Sequence, residues 1–346
     1  MASSVRTFAC VLSAAAIAAG IAFSAPASAQ APAERSYLLA TATTGGTYYP
    51  VGVAIATLTK VKLQDKNKIS VSAITSAGSG ENIKLMRENQ VQFSILQGLY
   101  GAWAWNGEGD LKADGPQRDL RSVSMLWFNT EHFAVLSEYA KTGTIEDMAA
   151  IKGKKFSIGA RKSGTEGSGR TILGGLGFDP DKDFDLAYLG YNPSADALQN
   201  GTIAGFNIPG GVPVSAVAQA AAVLKDKMRI LDFTPEQIKK ANQGAKADLW
   251  VPFVIPAGTY AGHDKAINTI AQPNFLAVRS DVDEEAVYLI TKTIYENLPF
   301  LQNIHKATKD MALEKAIGGL PFPLHPGAAK FYKEKGIAIP ASLVAN

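Results

Sequence analysis

The sequence predicts an α/β fold large enough for two domains, and three observations carry that reading. The chain has 346 residues, 47% of them hydrophobic and 19% charged, which suits two domains of ordinary size and excludes a disordered chain. At three places a strand-like run passes through a glycine- and hydroxyl-rich loop straight into a helix-like run. A long β-rich stretch, 122–137, carries Val123, Met125, Trp127, Phe133, Val135 and Leu136. The net charge of +3, with no Lys/Arg block, argues against nucleic acid as the main partner. A single Cys excludes a disulfide framework and any Cys-built metal site.

The elements follow in order. Residues 1–29 read as a cleaved secretory signal: Arg6 near the start, an apolar Ala-rich run from Phe8 to Phe23, then Ala27-Ser28-Ala29, a small-x-small cleavage pattern. The run is too short and too rich in Ala to favour spanning a membrane. Cys10 lies inside it without a Leu three residues upstream, which argues against a lipoprotein site. The signal makes the mature chain, from Gln30, periplasmic by expectation, and with no later run of about 18 apolar residues it is not expected to span a membrane by itself.

The first junction is Ser36–Ala42 as a strand, then Thr43-Thr44-Gly45-Gly46-Thr47-Tyr48-Tyr49-Pro50. A helix follows, with Val51, Ile55, Leu58 and Val61 near helical spacing and Pro50 at its first position. The second is Ile69, Val71 and Ala73 in alternation, a loop over Thr75–Gly80, and a helix over Glu81–Glu88. The third is a strand over Lys155–Ile158, a loop over Gly159–Thr165, and a helix over Glu166–Leu176 with Gly177 as its C-terminal stop. Later come strands at Trp250–Ile255 and Asn274–Val278. Asp281 and Glu284 resemble a capping box opening a helix to Leu298, and a last helix covers Pro326–Lys335, ended by Gly336.

Each junction gathers free backbone N–H groups, Ser/Thr hydroxyls and a positive helix end, which together suit a carboxylate or another small anion. Such loops lie at the carboxyl ends of strands, where ligands bind in open α/β sheets. The plainer reading is that glycines and hydroxyls only turn and cap. Catalytic alternatives fail on spacing. Gly164–Thr171 misses the phosphate-cradling loop because Arg170 stands where Lys is required. There is no G-x-S-x-G and no H-E-x-x-H, and the four His residues (132, 263, 305, 325) lack ligand spacing. Glu131 and His132 are neighbours in sequence only, since adjacent residues on a strand face opposite ways. No enzyme activity, cofactor or metal is therefore expected.

The segment Thr44-Gly45-Gly46-Thr47-Tyr48-Tyr49-Pro50 resembles the opening motif of the TAXI family, the extracytoplasmic solute receptors of one class of TRAP transporters. Four further segments resemble the family in its order: Thr75–Leu85, Phe93–Gln97, Ser163–Leu173 and Pro323–Gly336. Two departures stand out. Lys162 occupies a position that is usually Gly, and Ala204-Gly205 stands where Asp-Ala is frequent.

The resemblance implies a type II periplasmic-binding-protein fold, two α/β lobes joined by a hinge of crossing strands with the ligand between them. The first lobe is expected over 30–129 and 261–346, the latter part bracing it, and the second over 130–260. The first crossover is placed near Phe128–Phe133, and the return near Ile255–Ala271, where Pro256, Gly258 and Gly262 suit a bend. On this reading Thr43, Gly46, Thr47, Tyr48, Ser76, Ser79 and Gln97 face the ligand from lobe one. Arg161, Ser163, Gly164, Thr165, Asn207 and Gly210 face it from lobe two. A guanidinium at Arg161 would grip a carboxylate bidentately; a solvated loop charge is the alternative. Which of Arg161, Lys162 and Arg170 pairs with the ligand stays open, as does which of Tyr48 and Tyr49 lines the cleft. Trp103 and Trp105 either rim the cleft or pack a surface loop. The function implied is capture of an acidic amino acid or short dicarboxylate by a monomer that delivers it to TRAP transporter membrane subunits. An exported two-lobed enzyme and a signalling receptor for a small anion are the alternatives.

The cleavage pattern generates one prediction. Intact-mass analysis of periplasmic protein should give a chain beginning at Gln30 or within a few residues of it. A mass that retains residues 1–29, or a lipid on Cys10, defeats it.

Overall fold

Glycine- and hydroxyl-rich loops feed helices at all three predicted junctions, and the strands before them build two separate sheets. The computed structural model describes residues 33–345; the expected signal peptide lies outside them. In chain order come β1 (Arg35–Ala40), α1 (Tyr48–Asn67), β2 (Ile69–Ile74), α2 (Ser79–Arg87), β3 (Phe93–Gln97), α3 (Gly98–Asn106) and β4 (Leu120–Thr130). Then follow β5 (Phe133–Leu136), β6 (Lys155–Ser157), α4 (Gly164–Gly175), α5 (Pro180–Asp183), β7 (Asp185–Ala187), α6 (Tyr191–Gln199), β8 (Gly205–Asn207), α7 (Ser215–Leu224), β9 (Met228–Ile230) and α8 (Pro235–Ala245). The chain ends through β10 (Val251–Ile255), β11 (Ile267–Arg279), α9 (Glu284–Glu296), α10 (Leu298–Ile304) and α11 (Pro326–Glu334). Among the described residues no helix is long and apolar enough to cross a membrane.

The two sheets are wired alike. In the first, β2, β1 and β3 are parallel neighbours, and β11 lies antiparallel beside β3, with β4 and β10 both paired to β11. In the second, β7, β6 and β8 are parallel neighbours, and β5 lies antiparallel between β8 and β9. Successive residues of one strand serve opposite faces. Ile95 of β3 joins Ile55, Ile290 and Phe331 beneath α1, α9 and α11, while Leu96 joins Ile83 and Tyr100 beneath α2 and α3. In β5, Phe133 and Val135 face one core and Ala134 the other. With helices on both faces of the sheet, β3 is buried at every position.

The chain passes from the first sheet to the second through Glu131 and His132, between β4 and β5. It returns inside β11. Ile267 and Ile270 pack with second-sheet cores, whereas Phe275, Leu276 and Val278 pack with first-sheet cores. Pro273 sits at the change and supplies no N–H to the ladder, and the β4–β11 register shifts between Asn274 and Phe275. The loop with Pro256, Gly258 and Gly262 is instead the hairpin between β10 and β11, and its Tyr260 is buried in the second-sheet core.

Two local expectations change. Helix α1 opens at Tyr48, so Pro50 is its third residue, still within the turn whose N–H groups lack intrahelical partners. At α9 the cap is Asp283, whose carboxylate accepts from the Ala286 N–H at 2.8 Å. Asp281 is held instead by Arg279, at 2.6 and 2.9 Å. Gly177 and Gly336, with φ of +90° and +73°, do terminate their helices.

Helix α4 carries a site loop at its start and is held by close approach to α8. A Cβ at Gly244 would lie 2.5 Å from the Thr171 carbonyl oxygen and 3.0 Å from Gly175 Cα. Gly244→Ala should therefore lower stability by about 1–3 kcal/mol through overpacking, against a helix-propensity gain of about 1 kcal/mol. A urea midpoint equal to or above that of the parent would reject this contact as the spacer of the two helices.

Candidate functional site

Where the two sheets face each other, four helix N-termini meet at one narrow cavity. Its lining comes from Thr47 and Tyr48 at the start of α1, Gly78 and Ser79 at α2, Gly164 and Thr165 at α4, and Tyr191 at α6. Ala42, Thr43, Gly46, Ala77, Gln97, Asn129, Pro209 and Gly210 complete it. No lining side chain is charged. The free space is about 30 Å³ for the centres of water-sized spheres, room for two or so waters. The first N–H groups of a helix have no intrahelical partner, and the helix dipole makes each such end positive. The Ser79, Gly164 and Thr165 N–H groups have no backbone partner among the described residues. The cavity is thus a neutral-walled pocket with a positive potential supplied by backbone.

Polar side chains already cross from one side to the other. Gln97 Nε2 donates to the Gly164 carbonyl at 2.7 Å, and Gln97 Oε1 accepts from Asn129 Nδ2 at 3.1 Å. Thr47 Oγ1 accepts from the Gly211 N–H at 3.0 Å and donates to the Gly211 carbonyl at 3.2 Å. The Glu81 N–H donates to the Lys162 carbonyl at 3.1 Å. Tyr48 OH donates to Asn274 Oδ1 at 2.5 Å, and Tyr191 OH donates to the Pro209 carbonyl at 2.5 Å with Thr165 Oγ1 3.0 Å away. Burial raises the pKa of both phenols, so they stay protonated donors.

Of the residues expected at the site, Thr43, Gly46, Thr47, Tyr48, Ser79, Gln97, Gly164, Thr165 and Gly210 come together around the cavity. Tyr48, not Tyr49, lines it. The other four stand outside the lining. Ser76 Oγ is spent on the Thr41 carbonyl, Asn82 and the Gly78 N–H. Ser163 caps α4 by accepting from the Glu166 N–H at 3.1 Å. The exposed Arg161 guanidinium lies 3.6 Å from the centre of the Tyr188 ring. Asn207 donates to Glu131 at 2.9 Å, behind the cavity. Arg170 is bound to Asp181 and Glu166. Trp103 packs on Tyr100, and Trp105 stacks on Phe322 under Arg118. Sequence reasoning missed Asn129 and Tyr191. Asn129 sits on a hydrophobic strand with no loop signal; Tyr191 opens a helix after Gly190, a start signal that passed unread.

The crossing residues turn opposite ways. His132 Nδ1 lies 2.9 Å from the Thr130 carbonyl and Nε2 2.8 Å from Tyr260 OH, which accepts from the Val214 N–H at 2.9 Å. The Tyr260 proton therefore goes to Nε2 and the imidazole proton sits on Nδ1. Burial lowers the His132 pKa to about 4, so the ring is neutral. Glu131 is fully buried on the other side, and burial raises its pKa to about 7 against opposing hydrogen bonds, Asn207's the largest.

Residues 39–336 match the NMT1-like family. Three solved structures are similar. MatC from Rhodopseudomonas palustris, with bound malate, is 11% identical over 79% of this chain and 88% of that one, at a TM-score of 0.52. A Bordetella bronchiseptica RB50 protein is 11% identical over 90% and 85%, at 0.50. The alkanesulfonate-binding protein SsuA from Xanthomonas axonopodis pv. citri, bound to MOPS, is 12% identical over 90% and 97%, at 0.46. At these identities the likeness is one of fold. Together with the paired wiring of the two sheets, it gives the chain the two-lobed α/β fold of type II periplasmic binding proteins.

The close seam is testable without a ligand. A Cβ at Gly80 would lie 2.4 Å from the Lys162 carbonyl oxygen. Gly80 is inside α2 and needs no unusual backbone angle, so Gly80→Ala should fold and hold the two sides apart. Small-angle scattering is expected to give a larger radius of gyration than the parent; an identical one counts against this seam as the closing contact.

Proposed function

The chain belongs to the NMT1-like family, and from that premise we propose that it is a periplasmic solute-binding protein for a small organic acid. The ligand class is an acidic amino acid or short dicarboxylate. The protein hands it to the membrane subunits of a TRAP-type transporter, as the resemblance to TAXI receptors implies, and performs no chemistry on it. The observation that carries the reading is the convergence of four helix N-termini on one cavity whose lining has no charged side chain. Backbone N–H groups and helix dipoles favour an anion there without a fixed cation. The Thr43, Thr47, Ser79 and Thr165 hydroxyls and the Gln97 and Asn129 amides add donors for carboxylate oxygens, and Gln97 Oε1 an acceptor for an amine. Tyr48 and Tyr191 cover the carbon skeleton. The malate held by MatC belongs to the same ligand class.

The two lobes, divided at the Glu131–His132 crossing and inside β11, are proposed to part for the ligand to enter and to close on it. Such closure is driven by the ligand's higher affinity for the closed form. The cavity as it stands admits only waters, so an amino acid requires that opening.

Titration calorimetry with glutamate, aspartate, malate and succinate tests the reading. At least one should bind, and Thr165→Val should weaken it by about 1.5–3 kcal/mol if the hydroxyl bonds a charged oxygen. The ligand-free protein is proposed to exchange between closed and open arrangements, so scattering should show compaction at saturation. If none of the acids binds the folded protein, or if a bound acid is recovered chemically changed, the proposal fails.

A further inference from the structure

Glu131 has a chemistry that ligand capture does not use. It is fully buried at the crossing from β4 to β5. The groups facing it are Asn207 at the end of β8, Ser168 on α4, Trp250 before β10 and Gln272 on β11. The titratable groups that feel its charge are the phenols of Tyr48 on α1 and Tyr191 on α6. None is a cation. Arg170, on α4, is bound to Asp181 and Glu166, and His132 turns to Tyr260 and Thr130. A carboxylate buried without a cation takes up a proton in preference to staying ionised.

The donation from Asn207 by itself favours the carboxylate, but the two oxygens it leaves over point to the acid. Asn207 Nδ2 donates to Glu131 Oε2 at 2.9 Å. The remaining oxygen of each partner, Glu131 Oε1 and Asn207 Oδ1, is buried and has no partner among the described residues. Two acceptors left over on one hydrogen-bonded pair are both satisfied by one added proton, as in a carboxylic acid–amide pair. The Trp250 Nε1–H, also buried and unpartnered, is the competing donor that an ionised Glu131 would use.

We propose that Glu131 is held as a neutral carboxylic acid whose Oε1–H donates to Asn207 Oδ1, so that seating the second sheet on the crossing segment takes up a proton from solvent. Glu131 is then a positioning residue. Through Asn207 it fixes β8, which leads into the Pro209–Gly210 wall of the cavity. Gln272, beside it, accepts from the Leu99 N–H at 2.8 Å and reaches Gln97 Oε1 at 3.4 Å. The inference does not depend on which ligand binds.

The sign of the effect is fixed. With the folded pKa raised to about 7 from an ordinary 4.5, the unfolded chain ionises first as pH rises. Glu131 therefore costs stability progressively across that window and by a constant amount above it. Glu131→Gln presents an amide that pairs with Asn207 at every pH. Urea unfolding of both proteins from pH 4.5 to 9 should show the folding constant of the variant, relative to the parent, rising by up to about tenfold per pH unit between about 4.5 and 7, then levelling. The histidines, whose lowered pKa values give the opposite slope, cancel in this ratio. Parallel stability curves would overturn the proposal. Should the variant not fold, infrared spectra of the parent decide. A protonated-carboxyl C=O stretch should persist at pH 6 and vanish by pH 9. It should also survive Asp310→Asn, since burial raises that carboxyl too. No such band at pH 6, or one lost with Asp310, overturns the assignment equally.

Discussion

Strands β4 and β11 run antiparallel from Leu120↔Arg279 to Thr130↔Ala271, and what either sheet presents to the cavity hangs from that ladder. Beyond Thr130 the Glu131 N–H donates to the Ile270 carbonyl at 2.9 Å, so the ladder runs past the end of the first sheet into the joint. Two strands side by side leave the joint free to bend across the ladder while resisting shear along it. The backbone groups of a buried crossing must find partners, and pairing the two crossings with each other satisfies them in one stroke. The polar side chains Glu131, His132, Gln272 and Asn274 then fall where the sheets meet, and each has to be accommodated by a neighbour.

The cavity follows from parallel strands ending at a common edge. Each strand–loop–helix unit turns its helix start toward the facing lobe, so α1 and α2 on one side and α4 and α6 on the other aim their N-termini at one point. Charge supplied by backbone has a physical advantage in so small a space. A Lys or Arg there would need its own counter-ion whenever the pocket stood empty, at a desolvation cost of several kcal/mol per ion. N–H groups carry only partial charge and are easily hydrated. Arg161 accordingly sits on the Tyr188 ring outside, and the cavity's positive potential does not depend on it.

What the sequence made legible is the set of features encoded locally. Glycine and hydroxyl clusters marked the three helix starts, and the same clusters contain most of the cavity lining. Gly177 and Gly336 marked helix ends because only a left-handed backbone angle stops a helix there. The features set by pairing between distant strands were not legible. Nothing in the β10–β11 hairpin says that Tyr260 donates to His132, 128 positions earlier in the chain. Asn129 reads as one polar residue in a hydrophobic strand until β3 brings Gln97 beside it. Pro256, Gly258 and Gly262 signal a turn, and a turn is what they make; whether it joins two strands or two lobes depends on partners that local residues do not specify. Asp281 and Asp283 offer the same cap to α9; Asp283 takes it while also meeting Arg35, and Asp281 pairs with Arg279.

Lys162 and Gly205 have different consequences once placed. Lys162 holds a left-handed angle, φ of +61°, a conformation that costs a side-chain-bearing residue about 1–2 kcal/mol. Its backbone is fixed from both directions, the N–H by Glu166 Oε2 at 2.8 Å and the carbonyl by the Glu81 N–H at 3.1 Å. The residue is exposed and outside the cavity lining, so its charge leaves the neutral wall intact. Gly205 acts in the core of the second lobe. A Cβ there would sit 2.6 Å from the Ala134 carbonyl oxygen, so an alanine requires β5 and β8 to stand further apart. Glycine draws the two strands together at Val135↔Gly205, two residues from the Phe133↔Asn207 pairing.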